Sequence, residues 1–136
     1  MIVDTSAIVA LLQLEPEATA MLRLLSKQGG AIMSAASYLE SGIVIDAAKN
    51  PKASANLDAL IRELRIDIAP VTAEQARIAR QAYRDFGKGS GHPAQLNFGD
   101  CFAYALAKDL REPLLFKGND FTQTDIAPAL GRGPAR

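Results

Sequence analysis

Four carboxylates stand where the packing of an ordinary fold would not put them. Asp4 closes the apolar run Met1-Ile2-Val3, and Glu40 lies inside Ala36-Ser37-Tyr38-Leu39-Glu40-Ser41-Gly42-Ile43-Val44. Asp100 opens Asp100-Cys101-Phe102-Ala103-Tyr104-Ala105-Leu106-Ala107, and Asp120 comes soon after Leu114-Leu115-Phe116. At helical spacing Glu40 has Ala36, Ile43, Val44 and Ala47 beside it, and Asp100 has Ala103, Tyr104 and Ala107, so each acid shares a face that would otherwise pack. A buried carboxylate is costly and tends to neutralise itself unless a cation holds it ionised. A convergent set of such groups, with oxygen-bearing neighbours, suits a hard divalent ion such as Mg²⁺ or Mn²⁺. Zinc is disfavoured, because the chain has one histidine and one cysteine. The chemistry on offer is that of a phosphate ester, with a metal to position the phosphate, acidify a water and stabilise the leaving oxygen. Each acid also has a purely structural role open to it. Asp4 can cap the helix that follows, Glu40 can pair with a base, Asp100 can complement a helix dipole, and Asp120 can hold a turn with Asn119.

The elements that must position these groups follow from pattern. Met1-Ile2-Val3 reads as a short buried strand, followed by a helix with Ile8, Leu11 and Leu12 on one side. Glu15-Pro16-Glu17 is expected to start a second helix, which runs to Gly29-Gly30. Ala31-Ile32-Met33 is a second strand, and Ser34 is placed to cap the helix carrying Glu40. Asn50-Pro51 breaks that helix, and residues 52–64 resume it with Leu57, Leu60, Ile61 and Leu64. Ile66 to Val71 forms a third strand, at an edge or terminal place because of Pro70. Thr72 caps a helix over about 73–86, residues 87–93 form a Gly-rich loop, and a helix over 97–110 has Asn97 as a candidate cap. Leu114-Leu115-Phe116 is a fourth strand and Asp125-Ile126-Ala127 is expected to add a fifth.

Short apolar strands alternating with helices predict an α/β fold, a mostly parallel sheet of four to five strands with helices on both faces. Ligands in such folds bind outside the carboxyl ends of the strands, which is where Asp4 and the Lys117–Asp120 loop fall. The length, 136 residues, suits one domain, expected over residues 1–130 with 131–136 as a fraying tail. Cys101 alone excludes an internal disulfide and suits a reducing cytoplasm. The N-terminus lacks a basic region and Asp4 breaks its apolar start, which argues against a secretory signal; no stretch approaches a membrane span. Net charge is zero, made of −2 over residues 1–68 (six basic, eight acidic) and +2 over 69–136 (nine basic, seven acidic). That balance excludes a strongly basic coat that grips phosphate backbones indiscriminately.

Other features carry less. Arg77, Arg80 and Arg84 make a basic stripe that serves either as a solvated face or as a phosphate-backbone contact, and Lys88 and Lys117 flank the expected pocket as candidate RNA contacts. His92 is expected in solvent, and Cys101 as a small core residue. Gly87, Gly89 and Gly91 lack the strand–loop–helix setting of a nucleotide fingerprint.

Three segments together resemble one family: Met1-Ile2-Val3-Asp4-Thr5-Ser6-Ala7, Ser34-Ala35-Ala36-Ser37-Tyr38-Leu39-Glu40, and Leu96-Asn97-Phe98-Gly99-Asp100-Cys101-Phe102-Ala103-Tyr104-Ala105-Leu106-Ala107 running on to Leu114-Leu115-Phe116-Lys117-Gly118-Asn119-Asp120-Phe121. The chain is similar, from Met1 to about Ile126, to PIN-domain ribonucleases of the VapC type, toxins of bacterial toxin–antitoxin pairs. The resemblance implies a PIN-like α/β/α sandwich and a metal-dependent endoribonuclease. It assigns the family's four acids to Asp4, Glu40, Asp100 and Asp120, its pocket-ordering hydroxyl to Ser6, and nearby polar positions to Asn97 and Asn119. It further implies Mg²⁺ or Mn²⁺ as cofactor, a transfer RNA or ribosomal RNA loop as substrate, a homodimer or larger assembly, and a cognate VapB antitoxin that silences the site. Two rival readings remain. A Mg²⁺-dependent phosphatase or phospho-accepting receiver keeps the site, though Thr5-Ser6 after Asp4 does not give the Asp-x-Asp pair of common phosphatases. A non-enzymatic module would use the acids only to grip a basic partner.

Overall fold

The computed structural model describes residues 1–131, so the residues 132–136 of the expected tail lie outside the described residues. Chain order is β1 (Ile2–Val3), α1 (Thr5–Leu12), α2 (Ala18–Gln28), β2 (Ala31–Ser34), α3 (Ala35–Ala47), α4 (Pro51–Glu63), β3 (Ile66–Ala69), α5 (Ala73–Phe86), α6 (Phe98–Leu110) and β4 (Leu114–Leu115). The boundaries are set by local chemistry. Ser34 Oγ accepts from Ala36 N at the start of α3, and Thr72 Oγ1 from Gln75 N at the start of α5. Asn50 Oδ1 accepts from the amides of Lys52 and Ala53, with Pro51 in the first turn of α4, where its missing N–H costs nothing. Gly29, at φ 73°, ends α2 in the left-handed conformation.

The four strands are ordered β3-β2-β1-β4 and every pair is parallel. Ile2 pairs with both Ile32 and Leu114, Val3 with Leu115, and Ala31 through Ser34 with Ile66 through Ala69. Side chains alternate across the sheet, and neighbouring residues therefore enter different layers. Val3, Met33 and Leu115 pack with Ile8, Leu11, Met21, Leu25, Leu57 and Ile61 of α1, α2 and α4. Ile2 and Leu114 pack on the other side with Ala79, Ala82, Leu106, Phe121 and Ile126, under α5 and α6. The result is the α/β/α sandwich expected, with six helices among the described residues.

Three expectations are corrected. The second helix begins at Ala18, two residues after Pro16; Glu17 offers no side-chain cap and both Glu15 and Glu17 turn to the Lys117 ammonium instead. The fifth strand does not form. Leu114 makes one isolated bridge to Pro128, through Leu114 N to Ala127 O and Ala129 N to Leu114 O, and a proline at the bridge has no amide to extend the ladder. The third strand stops at Ala69, directly before Pro70, and does take an edge place.

From β1 the chain builds outward to β2 and β3 on one side and returns to place β4 on the other. The order reverses between β1 and β4, which is the crevice where ligands bind in open parallel sheets. Asp4 ends β1 and residues 117–120 follow β4, so the topology delivers two of the four acids to that crevice.

Candidate metal-binding carboxylate site

Asp4 is buried, 3% exposed, at the junction of β1 and α1. It caps α1: Oδ2 accepts from the Ser6 amide at 3.0 Å and from Ser6 Oγ at 2.7 Å. Ser6 Oγ in turn accepts from the Lys117 amide at 2.9 Å, which ties the loop after β4 to the end of β1. Asp100 sits in the first turn of α6 and shares a capping box with Asn97. Asn97 Oδ1 accepts from the Asp100 amide at 2.8 Å, and Asp100 Oδ2 from the Asn97 amide at 3.0 Å. The structural roles open to Asp4 and Asp100 are thus filled, and they are compatible with a second role, because capping also fixes where each carboxylate stands.

Glu40 comes from the middle of α3, which packs against α1 and α6. Its partner is a hydroxyl rather than a base: Thr5 Oγ1 lies 2.6 Å from Glu40 Oε1 and 3.1 Å from Ser37 O. Its other side lies against Gly99. A Cβ built on that residue would fall 2.0 Å from Glu40 Oε2, a space only glycine leaves open. The carboxylate of α3 therefore reaches the first turn of α6 one residue from Asp100. Asp120 stands exposed on the loop after β4, which leaves the strand through Gly118 at φ 95°, a conformation that favours glycine.

Electrostatics show that the four groups share one neighbourhood. Burial raises Asp4 from 3.8 to about 6 against the pull of its Ser6 hydrogen bonds, and the Glu40 charge adds to the rise. Burial raises Asp100 to about 7, and the charges of Asp4, Asp120 and Glu40 push it the same way, against the Asn97 hydrogen bond. None of the four makes an ion pair among the described residues. The donor set is all oxygen and uncompensated, which fits a hard divalent cation that would lower both carboxyls. The side chains do not stand in a closed cage, however: among the described residues no three His, Cys, Asp or Glu groups are gathered tightly enough to enclose an ion as they stand. Asp4, Asp100 and Asp120 are the groups that could hold it, with Glu40 steered by Thr5.

The other candidates fall as follows. Asn119 lies in the turn before Asp120, its carbonyl accepting from the Thr122 amide and hydroxyl. Arg77, Arg80 and Arg84 are exposed along α5, Arg77 paired with Glu74 at 3.4 Å, and Lys88 is exposed in the following loop. Lys117 is neutralised within the chain by Glu15 and Glu17. His92 is half-buried rather than in solvent, its ring edge-on to Phe86 and its Nδ1 accepting from the Ala94 amide. Cys101 is buried, and burial pushes its thiol up to about 11. Sequence reasoning missed Thr5, Gly99 and Ser37. A glycine in the first turn of a helix was a signal for Gly99, since it gives up helix propensity for something. Nothing in the sequence pointed to Thr5 as the partner of Glu40, or to Ser37, whose buried hydroxyl has no hydrogen-bond partner among the described residues.

A parallel sheet in the order β3-β2-β1-β4 with acids at the carboxyl ends of β1 and β4 defines a class, and the sequence model of that class, the PIN domain, matches residues 1–127. The chain belongs to the PIN-domain family, and within it to the VapC ribonucleases. It is 58% identical to ribonuclease VapC28 of Mycobacterium tuberculosis over 97% of this chain and 99% of that protein. It is 49% identical to ribonuclease VapC42 of the same species over 95% of this chain and 98% of that one. Among solved structures, the fold matches Mycobacterium tuberculosis VapC20, described as a sarcin-ricin loop cleaving toxin, with TM-score 0.72 and 16% identity over 93% of this chain and 95% of that one. It also matches a chain of a toxin–antitoxin complex from Klebsiella pneumoniae, with TM-score 0.66 and 17% identity over 88% of each.

Proposed function

We propose that this protein is a Mg²⁺- or Mn²⁺-dependent endoribonuclease, the toxin of a VapBC-type module, acting in the cytoplasm on a transfer RNA or a ribosomal RNA loop to inhibit translation. The observation that carries the reading is that the charges of Asp4, Glu40 and Asp120 all bear on Asp100, with Asp4 raised to about 6 and Asp100 to about 7 and no cationic side chain paired with the four among the described residues. The 58% identity to VapC28 over nearly the whole chain supports the ribonuclease assignment. Asp4, Asp100 and Asp120 would hold the ion, and Glu40 would contact it or its water. A bound divalent ion supplies an acidified water and neutralises charge on the phosphate. The chain's own contribution is placement. Two capped helices and the Ser6–Lys117 bond fix Asp4 and Asp100, and Thr5 with Gly99 fixes Glu40. In-line attack of water on the phosphodiester leaves a 5′-phosphate and a 3′-hydroxyl.

The surface supports partners. Leu39 and Ile43, 62% and 60% exposed on α3 next to Glu40, offer a second copy an apolar face that would bring two acidic sites into one groove. Between α1 and α4 runs a groove of about 740 Å³ lined by Leu11, Leu12, Leu14 and Leu60, with Leu14 84% exposed, which a segment of a VapB-type antitoxin would cover. An antitoxin arginine entering the carboxylates would compete with the ion. No helix among the described residues is long and apolar enough to cross a membrane.

End-mapped cleavage of total cellular RNA by the purified protein tests the reading, with Mg²⁺ or Mn²⁺ beside EDTA and Asp100→Asn controls. Discrete cuts with 5′-phosphates, lost in both controls, are the expected result. Folded, antitoxin-free protein that cuts nothing at any metal concentration would turn the reading to a binding module.

A further inference from the structure

The helical turn that carries Asp100 also carries Phe98, the first residue of α6, which is 77% exposed. Phe98 meets Phe102 in a T-shaped contact, with centroids 4.9 Å apart and planes at 87°, so the two rings are not stacked face to face. Beside it, between α5 and α6, lies an apolar cleft of about 240 Å³ lined by Ala76, Ala79, Cys101, Arg80, Tyr83, Phe98 and Phe102. Tyr83 is 42% exposed. The mechanism leaves every one of these residues without a role. Large aromatic rings held in solvent at the edge of a catalytic turn mark a binding surface.

We propose that this cleft is a nucleobase subsite, in which a base next to the scissile phosphate, unstacked from a single-stranded or looped RNA, lies on Phe98 with Arg80 beside it. The proposal rests on the nuclease reading of the carboxylates. Two observations select a base over other occupants. The cleft is smaller than the roughly 300–1,000 Å³ of ordinary ligand pockets and suits one flat ring better than a helix. Its wall is cationic: Arg80 enters no ion pair among the described residues, and a guanidinium beside aromatic rings matches a base that trails a phosphate. Unpaired RNA bases are read by such stacking on aromatic and arginine planes.

The test uses the full chain in EDTA with a short single-stranded oligoribonucleotide carrying 2-aminopurine, and the same oligonucleotide made abasic at that position. Binding to the wild type and to Phe98→Tyr quenches the fluorescence. Phe98→Ala binds on the order of tenfold more weakly, and this difference disappears on the abasic strand. Arg80→Ala lowers the slope of log affinity against log salt by about 0.7. Because Phe98 is exposed, its replacement leaves the fold intact, as melting curves check. Equal affinities of wild type and Phe98→Ala, or a loss that persists on the abasic strand, overturn the subsite. So does sedimentation showing that Phe98→Ala turns a wild-type dimer into monomers, which would make this face an interface between copies. Cleavage in Mg²⁺ separates the two readings: cutting without Phe98 dependence of binding sinks the subsite alone, whereas Phe98-dependent base binding by a protein that never cuts sinks the nuclease alone.

Discussion

Adding one methyl group at Gly99 should separate activity from stability. The Cβ of Gly99→Ala would lie 2.0 Å from Glu40 Oε2, 2.7 Å from its Cδ and 2.8 Å from Oε1, where ordinary contact begins near 3.4 Å. The nearest oxygen must therefore withdraw by about 1.4 Å, the difference between 3.4 and 2.0. Glu40 is half-exposed at the end of a flexible side chain, so it can swing away, giving up the 2.6 Å bond from Thr5. That bond is worth about 1 kcal/mol, and a displaced rotamer costs about another 1 kcal/mol. Alanine in place of glycine within α6 returns up to about 1 kcal/mol of helix propensity. The net change is about 1 kcal/mol, or roughly 3–4 °C in melting temperature for a chain of this size. Catalytic groups tolerate displacement far less, and a misplacement of about 1 Å costs on the order of 10²-fold in rate. Thermal melting and a time course of RNA cleavage, run beside Glu40→Gln, give the comparison. A variant that cleaves at the wild-type rate would refute the claim that the position of Glu40 matters. A large fall in melting temperature would show instead that Glu40 is pinned and carries the fold.

Asp100, raised to about 7, makes metal-free stability depend on pH. An acid whose folded pKa is raised favours the fold below the unfolded value of 3.8, and that contribution is lost as pH rises through about 7. In EDTA the wild type should lose stability across this window, with Asp4, Glu40 and Asp120 adding to the repulsion, while Asp100→Asn loses less. At pH 8 the variant should be more stable by about 2 kcal/mol after discounting for solvent screening, and a difference that does not change with pH would be evidence against the shared acidic cluster. Saturating Mn²⁺ should reverse the order: at about 100 times the dissociation constant it adds about 2.7 kcal/mol to the wild type and little to Asp100→Asn, as melting curves with and without metal will show. Thr5→Val removes the hydroxyl that holds Glu40 and should cost about 1 kcal/mol of stability and about tenfold in cleavage rate; unchanged kinetics would make Thr5 a packing residue only.

Much of this protein is local in its sequence. The caps Ser34, Asn50, Thr72 and Asn97 and the stop at Gly29 act on amides or carbonyls within four residues of themselves, so composition and spacing are enough to place α3, α4, α5, α6 and the end of α2. Alternation of short apolar runs with helices fixes the parallel sheet, and the sheet class alone puts Asp4 and Asp120 at strand ends. The motifs around Asp4, Glu40 and Asp100 are specific enough to point to the PIN-domain family, whose sequence model matches residues 1–127. Where local rules failed, a distant charge or ladder had decided the outcome. Lys117 draws Glu15 and Glu17 away from the start of α2, and Pro128 limits the expected last strand to one bridge.

Helical periodicity put Glu40 and Asp100 on faces without saying that the faces meet. Their meeting depends on α3 crossing α6 at the one residue with no side chain, Gly99, and on Thr5, 35 positions before Glu40, pointing its hydroxyl across from α1. The sheet order that sets β4 beside β1 likewise arises from burying Ile2 and Leu114 in one layer and Val3 and Leu115 in the other. Sequence by itself determined which residues carry charge, which elements form and which family they belong to, because those follow from interactions spanning a few residues. Only the tertiary structure decided that four like charges share one crevice. That cost is set by burial and by distances between elements far apart in the chain, and it falls on Asp4 and Asp100, whose carboxyls burial raises most.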